Sequence, residues 1–338
     1  MAWRLAGMTC LLAGMLAPTD AFSQGCVIAR GGGGGAMVMQ GDGFPEPGDW
    51  QMSLAYRYFH SDRHFIGDEE QPQRQEQGTQ VDNWSNFIDL TATYNFSKRF
   101  SVNLTLPFVS HARSSLYEHD RTNRHSTYAS GLADLRFGAQ YWLVNPETHH
   151  NWNISLLGGV KAPTGDYLAT DVFYRPAGPT VRYVDSSIQP GDGGWGFYLG
   201  TEGFAAIVGN LSAYWQGFYL FNPEELIDKT GFSIPDSYMA RVGLNYIIWP
   251  SQGLALSVGG RIEGVPSEDA LGGSMGSRRP GYSVGIEPGI SWTKGRWYAG
   301  LTTPVALYRN RTTTYGRTTP GDAAFADFSI NFTGAMRF

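Results

Sequence analysis

The stretch Phe325-Ala-Asp-Phe-Ser-Ile-Asn-Phe-Thr-Gly-Ala-Met-Arg-Phe338 decides how the rest of the chain is read. Its even positions are Ala326, Phe328, Ile330, Phe332, Gly334, Met336 and Phe338. Its odd positions are Asp327, Ser329, Asn331, Thr333, Ala335 and Arg337. One face is apolar, the other is mostly polar, and the stretch ends on an aromatic residue. Such a two-faced strand suits the closing strand of a membrane β-barrel, with lipid on one side and the lumen on the other. A soluble sandwich can also contain a two-faced strand, so the rest of the chain must distinguish the two.

The same two-residue period recurs upstream. Met52, Leu54, Tyr56 and Tyr58 share a face, as do Ile88, Leu90, Ala92 and Tyr94. Val102, Leu104, Leu106 and Phe108 alternate with Ser101, Asn103 and Thr105. Comparable runs begin near Leu135, Trp152, Trp195, Leu211, Tyr238, Leu254, Tyr282 and Trp297. Strict alternation is the mark of a strand whose faces meet unlike surroundings. With the last strand the count is about twelve, an even number.

The connections carry separate information. Short turns fall near 97–99, 144–151, 206–210, 250–253 and 293–296. Long connections fall near 60–85, 109–130, 163–194, 222–236, 265–280 and 308–323. The two kinds alternate, as expected of an up-and-down barrel with short periplasmic turns and long outer loops. Both termini would then be periplasmic. Aromatic residues gather beside the turns and the loops, while Leu, Val, Ile and Ala fill the middles, giving two girdles around an aliphatic belt. The expected fold class is all-β: a transmembrane antiparallel barrel in the outer membrane of a Gram-negative bacterium, following a cleaved signal peptide.

The first residues fit that signal. Arg4 is a short positive region and Leu5 to Ala17 a short apolar one. Ala21-Phe22-Ser23 suits cleavage, so residues 1–23 are expected to be removed. Cys10 leaves with them, and Cys26 remains alone, without a partner for an internal disulfide. Residues 24–49, with Gly31 to Gly35 and Pro45 and Pro47, read as a flexible periplasmic leader. Residues 50–338 form the barrel. Downstream of the signal no apolar run is long enough for a spanning helix. A mildly negative mean hydropathy is compatible with alternating strands. The net charge of −5 excludes nucleic acid as an expected partner. The expected partners are outer-membrane lipid and lipopolysaccharide, the barrel-assembly machinery and a small-molecule solute.

Charges facing hydrocarbon are costly, so ionisable residues on the polar face should point inward. The candidate lining residues are Arg57, Arg136, Lys161, Arg241, Arg261 and Arg337, balanced by Asp89, Asp134, Glu202, Glu263, Glu287 and Asp327. Two readings stay open. The charges select solutes in an open lumen, or they pair and stiffen a filled one. In the outer loops His60, Asp62 and His64 are expected to share a strand face, and Glu118-His119-Asp120 lies near His125. Solvated loops or lipopolysaccharide phosphates account for them, and no metal or cofactor is expected. Ser110-His111 and Ser126, near Asp120 and His125, are the only hint of a hydrolase, and they lack a nucleophile-elbow context. No catalytic residue is assigned.

Three segments carry a resemblance: Gly131-Leu-Ala-Asp-Leu-Arg136, Lys161-Ala-Pro-Thr-Gly-Asp166 and Gln189-Pro-Gly-Asp-Gly-Gly-Trp195. Together they resemble the outer-membrane proteins of the meta-pathway of phenol degradation. Ala133 stands where such proteins commonly have glycine. The resemblance implies an outer-membrane barrel that moves aromatic or other hydrophobic compounds, and it brings no catalytic residues. The long connection 163–194 could fold into the mouth, with Tyr167, Phe173, Tyr174 and Tyr183 near a solute path.

Overall fold

The computed structural model describes residues 44–338. The signal peptide, its cleavage site, Cys10, Cys26 and the leader up to residue 43 lie outside these residues. Twelve barrel strands follow one another: β1 (Trp50–Ile66), β2 (Asp82–Asn95), β3 (Phe100–Ser115), β4 (His125–Leu132, resuming as Leu135–Trp142), β5 (Trp152–Ala162), β6 (Gly196–Val208), β7 (Leu211–Phe221), β8 (Ser237–Trp249), β9 (Leu254–Val265), β10 (Gly281–Lys294), β11 (Trp297–Thr302, resuming as Val305–Asn310) and β12 (Ala323–Arg337). Each pairs antiparallel with the next, and β12 returns to β1 from Gln51↔Arg337 to Phe65↔Ala323. The sheet therefore has no open edge, which a hydrocarbon environment demands of strands. No helix among the described residues is long and apolar enough to cross a membrane.

The alternation in the sequence becomes an alternation in exposure. On β12, Phe328, Ile330 and Phe332 are 47%, 36% and 39% exposed, while Ser329 between them is 4% exposed. Apolar side chains therefore point out and small polar ones point in. That arrangement is stable only where the outside is lipid. Leu104 lies at the middle of this belt, 51% exposed, and its neighbour Asn103 faces the lumen. Leu104→Arg should cost about 2–4 kcal/mol, the price of a guanidinium near the bilayer midplane, and Asn103→Arg should be milder. Urea titrations of the folded fraction in lipid check this, and equal losses would contradict the assignment of faces.

The strands around the first two loops are longer than the period suggests. β1 runs on to Ile66, β3 to Ser115, and β4 already begins at His125. Beyond the lipid belt nothing forces one face to be apolar, so the alternation fades while the ladder of backbone hydrogen bonds continues. Two strands are interrupted. β4 breaks at Ala133-Asp134, where the Ala133 N–H still reaches the Pro107 carbonyl at 2.8 Å. β11 breaks at Thr303-Pro304, where proline has no N–H to give the ladder.

Candidate functional site

The lumen is divided lengthwise. One half is filled by a chain of ion pairs. Arg57 on β1 reaches Glu263 on β9 at 2.8 Å. Glu263 also holds Arg261 at 2.8 Å, Arg261 holds Glu287 on β10 at 3.2 Å, and Glu287 holds Arg241 on β8 at 3.0 Å. Glu287 is 1% exposed and touches two guanidinium groups with its two oxygens. Below this chain Tyr214, Tyr298 and Ala335 form a small apolar cluster. Buried charges persist only when each has partners, and here every carboxylate has two.

The other half is a cavity of about 280 Å³. It reaches from Lys98 and Arg99 at the short-turn end to Ile227, Phe232 and Pro235 of the 222–236 loop at the opposite end. Its walls come from the first seven strands, from the start of β8 at Ser237 and from adjoining loops. Phe59, Phe87, Trp142, Leu157, Tyr198 and Phe218 supply apolar surface, and Thr91, Asn103, Gln140, Gln216 and His111 supply polar groups. Phe59 stacks on Phe87, which lies against His111. Tyr198 lies flat on the wall because Gly138 and Gly159 lie beneath it. A Cβ on Gly138 would come within 2.0 Å of the Tyr198 hydroxyl.

The three sequence segments that carried the resemblance meet at one knot on the wall of this cavity. Asp134, in the break of β4, accepts the Gly165 N–H on Oδ1 and the Asp192 N–H on Oδ2, each at 3.0 Å. The Thr164 hydroxyl accepts the Leu135 N–H at 2.9 Å and donates to the Ala133 carbonyl at 3.2 Å. Lys161 pairs with the Asp192 carboxylate. Gly165 and Gly191 sit back to back. A Cβ on Gly165 would lie 2.8 Å from the Gly191 Cα, and one on Gly191 would lie 2.7 Å from the Gly165 carbonyl oxygen. Only glycine allows this approach. The knot holds residues 186–192 against the cavity, where Ser186, Ser187, Gln189, Pro190, Gly191 and Asp192 line it.

The aromatic residues expected at the solute path lie elsewhere. Phe173 and Tyr174 belong to a hairpin, Thr170–Arg175 with Gly178–Tyr183, that stacks on His119 and His125 of the preceding loop. The Tyr174 N–H donates to His119 Nδ1 at 3.2 Å. Burial lowers the His119 imidazole below its ordinary value, which favours this neutral acceptor. Tyr167 packs on Gly193. The return limb of the loop approaches the cavity, because Asp134 binds that limb and not the hairpin. The 222–236 loop is fixed similarly by buried Asp236, which accepts the Asn222 N–H at 2.7 Å, the Tyr219 hydroxyl at 2.9 Å and the Ala270 N–H at 2.8 Å.

At the short-turn end the chain before β1 turns into the mouth. Pro45 lines the cavity, and Phe44 packs on Trp142 and Phe204 with ring centroids 5.5 and 6.2 Å away. The reading of residues 24–49 as a flexible leader thus meets a packed segment at its end.

Of the twelve charged candidates, Asp134, Arg136, Lys161 and Glu202 border the cavity. Asp89 reaches Arg136 at 2.5 Å, and Glu202 takes hydrogen bonds from Gln140 and Gln216. Arg57, Arg241, Arg261, Glu263 and Glu287 instead make up the ion-pair chain and do not line the cavity. Their opposite charges meet within β9, between β9 and β10, between β8 and β10, and across the lumen from β1 to β9, and they close that half of the lumen. Asp327 and Arg337 are near the barrel ends. Two register shifts in the β1–β12 ladder upset the alternation there, so both Phe328 and the side chain of neighbouring Asp327 are open to the outside. Arg337 faces Asp49 at 4.0 Å at the short-turn rim.

The same shifts separate His64 from His60 and Asp62. His64 is buried and bound to Asp322 at 2.7 Å. The serine and histidine weighed for catalysis also part: Ser110 is exposed, while His111 is buried on the opposite face. Sequence reading missed the aromatic wall. Its signal was present, because Phe59, Phe87, Tyr198 and Phe218 are large apolar residues at the parity otherwise occupied by polar ones.

Comparison with known proteins fits this architecture. A solved outer membrane channel from Pseudomonas putida F1 superposes with a TM-score of 0.59 at 16% identity, covering 88% of this chain and 98% of the channel. At that identity the likeness shows the fold. The CymD monoaromatic hydrocarbon channel, at 8% identity over 87% of this chain and 89% of its own, reaches a TM-score of 0.41. The toluene transporter TodX of P. putida, at 10% identity over 87% of this chain and 91% of its own, reaches 0.40. Neither of these two is close enough to carry an argument. A search of curated proteins finds no match to the sequence. Residues 61–295, most of the barrel and all three segments of the knot, match the family model described as "Putative MetA-pathway of phenol degradation", and the chain belongs to that family.

Proposed function

We propose that this protein is an outer-membrane channel that passes small aromatic or other hydrophobic solutes through the open half of its lumen. The observation that carries the reading is the cavity itself, which runs between the two barrel ends and is lined by aromatic rings interleaved with neutral polar groups. A ring can slide along such a wall without stranding a hydroxyl, because polar groups lie within reach. The family membership and the fold of the P. putida channel support the same reading. The long loops face outward, and the short turns and both termini face the periplasm. Loop limb 186–192 narrows the outer mouth and Pro45 the inner one. Lipid covers the apolar belt, and lipopolysaccharide meets the long strands above it.

A second reading, a structural barrel with a filled lumen, is favoured by the ion-pair chain, which closes half the cross-section. Conductance separates the two. The purified protein in planar bilayers should conduct, and Lys161→Glu should shift its reversal potential in a salt gradient toward cations. That substitution removes the partner of Asp192 and places a new carboxylate beside Asp134 in a narrow, weakly screened passage. A mutant that conducts with unchanged selectivity would remove Lys161 from the path. A wild-type protein at background conductance would overturn the channel reading.

A further inference from the structure

The outer surface above the lipid belt carries a group of donors that the transport path does not use. β1 and β2 pair there with His60 opposite Trp84 and Ser61 opposite Asn83. Just beyond the last of these pairs come Asp62 on β1 and Asp82 on β2, whose carboxylates approach within 4.8 Å of each other. Like charges directly opposite on neighbouring strands are unfavourable unless a cation lies between them. His60 stands at this point. Its Nε2 is 3.2 Å from Asp82 Oδ1 and its Nδ1 is 3.9 Å from Asp62 Oδ1. One donor atom from each of the three residues lies within 4.8 Å of the others.

The surroundings hold these donors in place. Asp82 Oδ2 is bound by Arg124 at 2.8 Å, and Asp62 Oδ2 by Gln75 at 3.0 Å. Each carboxylate thus has its outer oxygen occupied and its inner oxygen turned toward the imidazole. The imidazole is stacked on Trp84, with centroids 4.9 Å apart and planes 5° from parallel. Outer partners that orient metal ligands in this way raise affinity by fixing their geometry. The side chains are 33%, 27% and 13% exposed for His60, Asp62 and Asp82, so the group is open to solvent but not freely rotating.

We propose that His60, Asp62 and Asp82 form a binding site for a borderline divalent transition metal ion such as Zn²⁺, with a fourth position left to water. One imidazole nitrogen and two carboxylate oxygens suit Zn²⁺, whereas Ca²⁺ and Mg²⁺ prefer oxygen-only shells. The bound ion would relieve the facing carboxylates and clasp β1 to β2 at their outer ends. Through Asp82 and Arg124 it would also reach the 116–124 loop.

The test uses the full barrel in detergent, stripped with EDTA and titrated with ZnCl₂. His60→Gln and Asp62→Asn lie on the surface and leave the barrel walls intact. Other histidines, including the exposed His149 and His150, contribute a background common to all three proteins. Competition against a chromophoric chelator should show one more bound equivalent in the wild type than in either variant. X-ray absorption of the one-equivalent sample should show a single imidazole with oxygen neighbours. Zn²⁺ should raise the unfolding temperature of the wild type alone. Equal stoichiometry and equal thermal shifts in all three proteins would overturn the proposal, as would an absorption spectrum with two or more imidazoles.

Discussion

Glu287→Ala should destabilise the barrel by about 3–5 kcal/mol, the largest single effect expected from any substitution in the lumen. Glu287 is buried and bridges Arg241 and Arg261. Removing it leaves three guanidinium groups, Arg57, Arg241 and Arg261, with one carboxylate, Glu263, which pairs with Arg57 and Arg261 and not with Arg241. The loss is mainly the cost of stranding charge, not the net worth of the original pairs. Urea unfolding in lipid vesicles, followed by tryptophan fluorescence, measures it. A change below about 1 kcal/mol would mean that water or rearranged partners already solvate this half of the lumen, and that the lumen is not divided as described.

Asp134→Ala should have the second large effect, on transport and not mainly on stability. Both of its oxygens are used to hold the loop, one on Gly165 and one on Asp192. Without them the limb 186–192 keeps the Lys161–Asp192 ion pair and the bond from the Gly191 N–H to the Asp166 carbonyl at 3.0 Å, but it loses its anchor to the break in β4. The limb should leave the cavity mouth for part of the time. Single-channel records should then show a larger mean conductance with frequent flickering, while the unfolding midpoint moves little. Asp134→Asn should be intermediate, because a side-chain carbonyl can still accept one of the two bonds. Conductance equal to wild type in both variants would show that the limb does not restrict the passage.

Much of this architecture was legible in the chain, for identifiable reasons. Lipid outside and a polar lumen inside impose a two-residue period, so Leu104 beside Asn103, or Phe328 beside Ser329, announces both the strand and its faces. Loop parity then orders the strands. What could not be read was which inward charges meet each other. Arg57 and Glu263 lie on strands far apart in sequence, and only the curvature of the closed sheet brings them together. The division into a filled half and an open half follows from that. Register shifts were equally hidden: nothing in the spacing of Phe59, Ser61 and Arg63 signals that two shifts rearrange His64 and Asp327. The knot was visible only as three separated short segments. Their shared role emerges when Asp134, Gly165 and Gly191 are seen to touch. The aromatic wall does not show in the charge pattern of the polar parity; it shows only where Phe59, Phe87, Tyr198 and Phe218 break that parity.

The central claim is that solutes pass along one half of the lumen and not the other. It is tested most directly by single cysteines placed in each half of a Cys26→Ser protein and probed during conductance recording with a charged thiol reagent. Thr91→Cys lies on the cavity wall, whereas Ala255→Cys points inward on the ion-paired side, outside the cavity. Reagent should block current through the Thr91 variant quickly and leave the Ala255 variant unchanged. Rapid block at Ala255 with none at Thr91 would contradict the account.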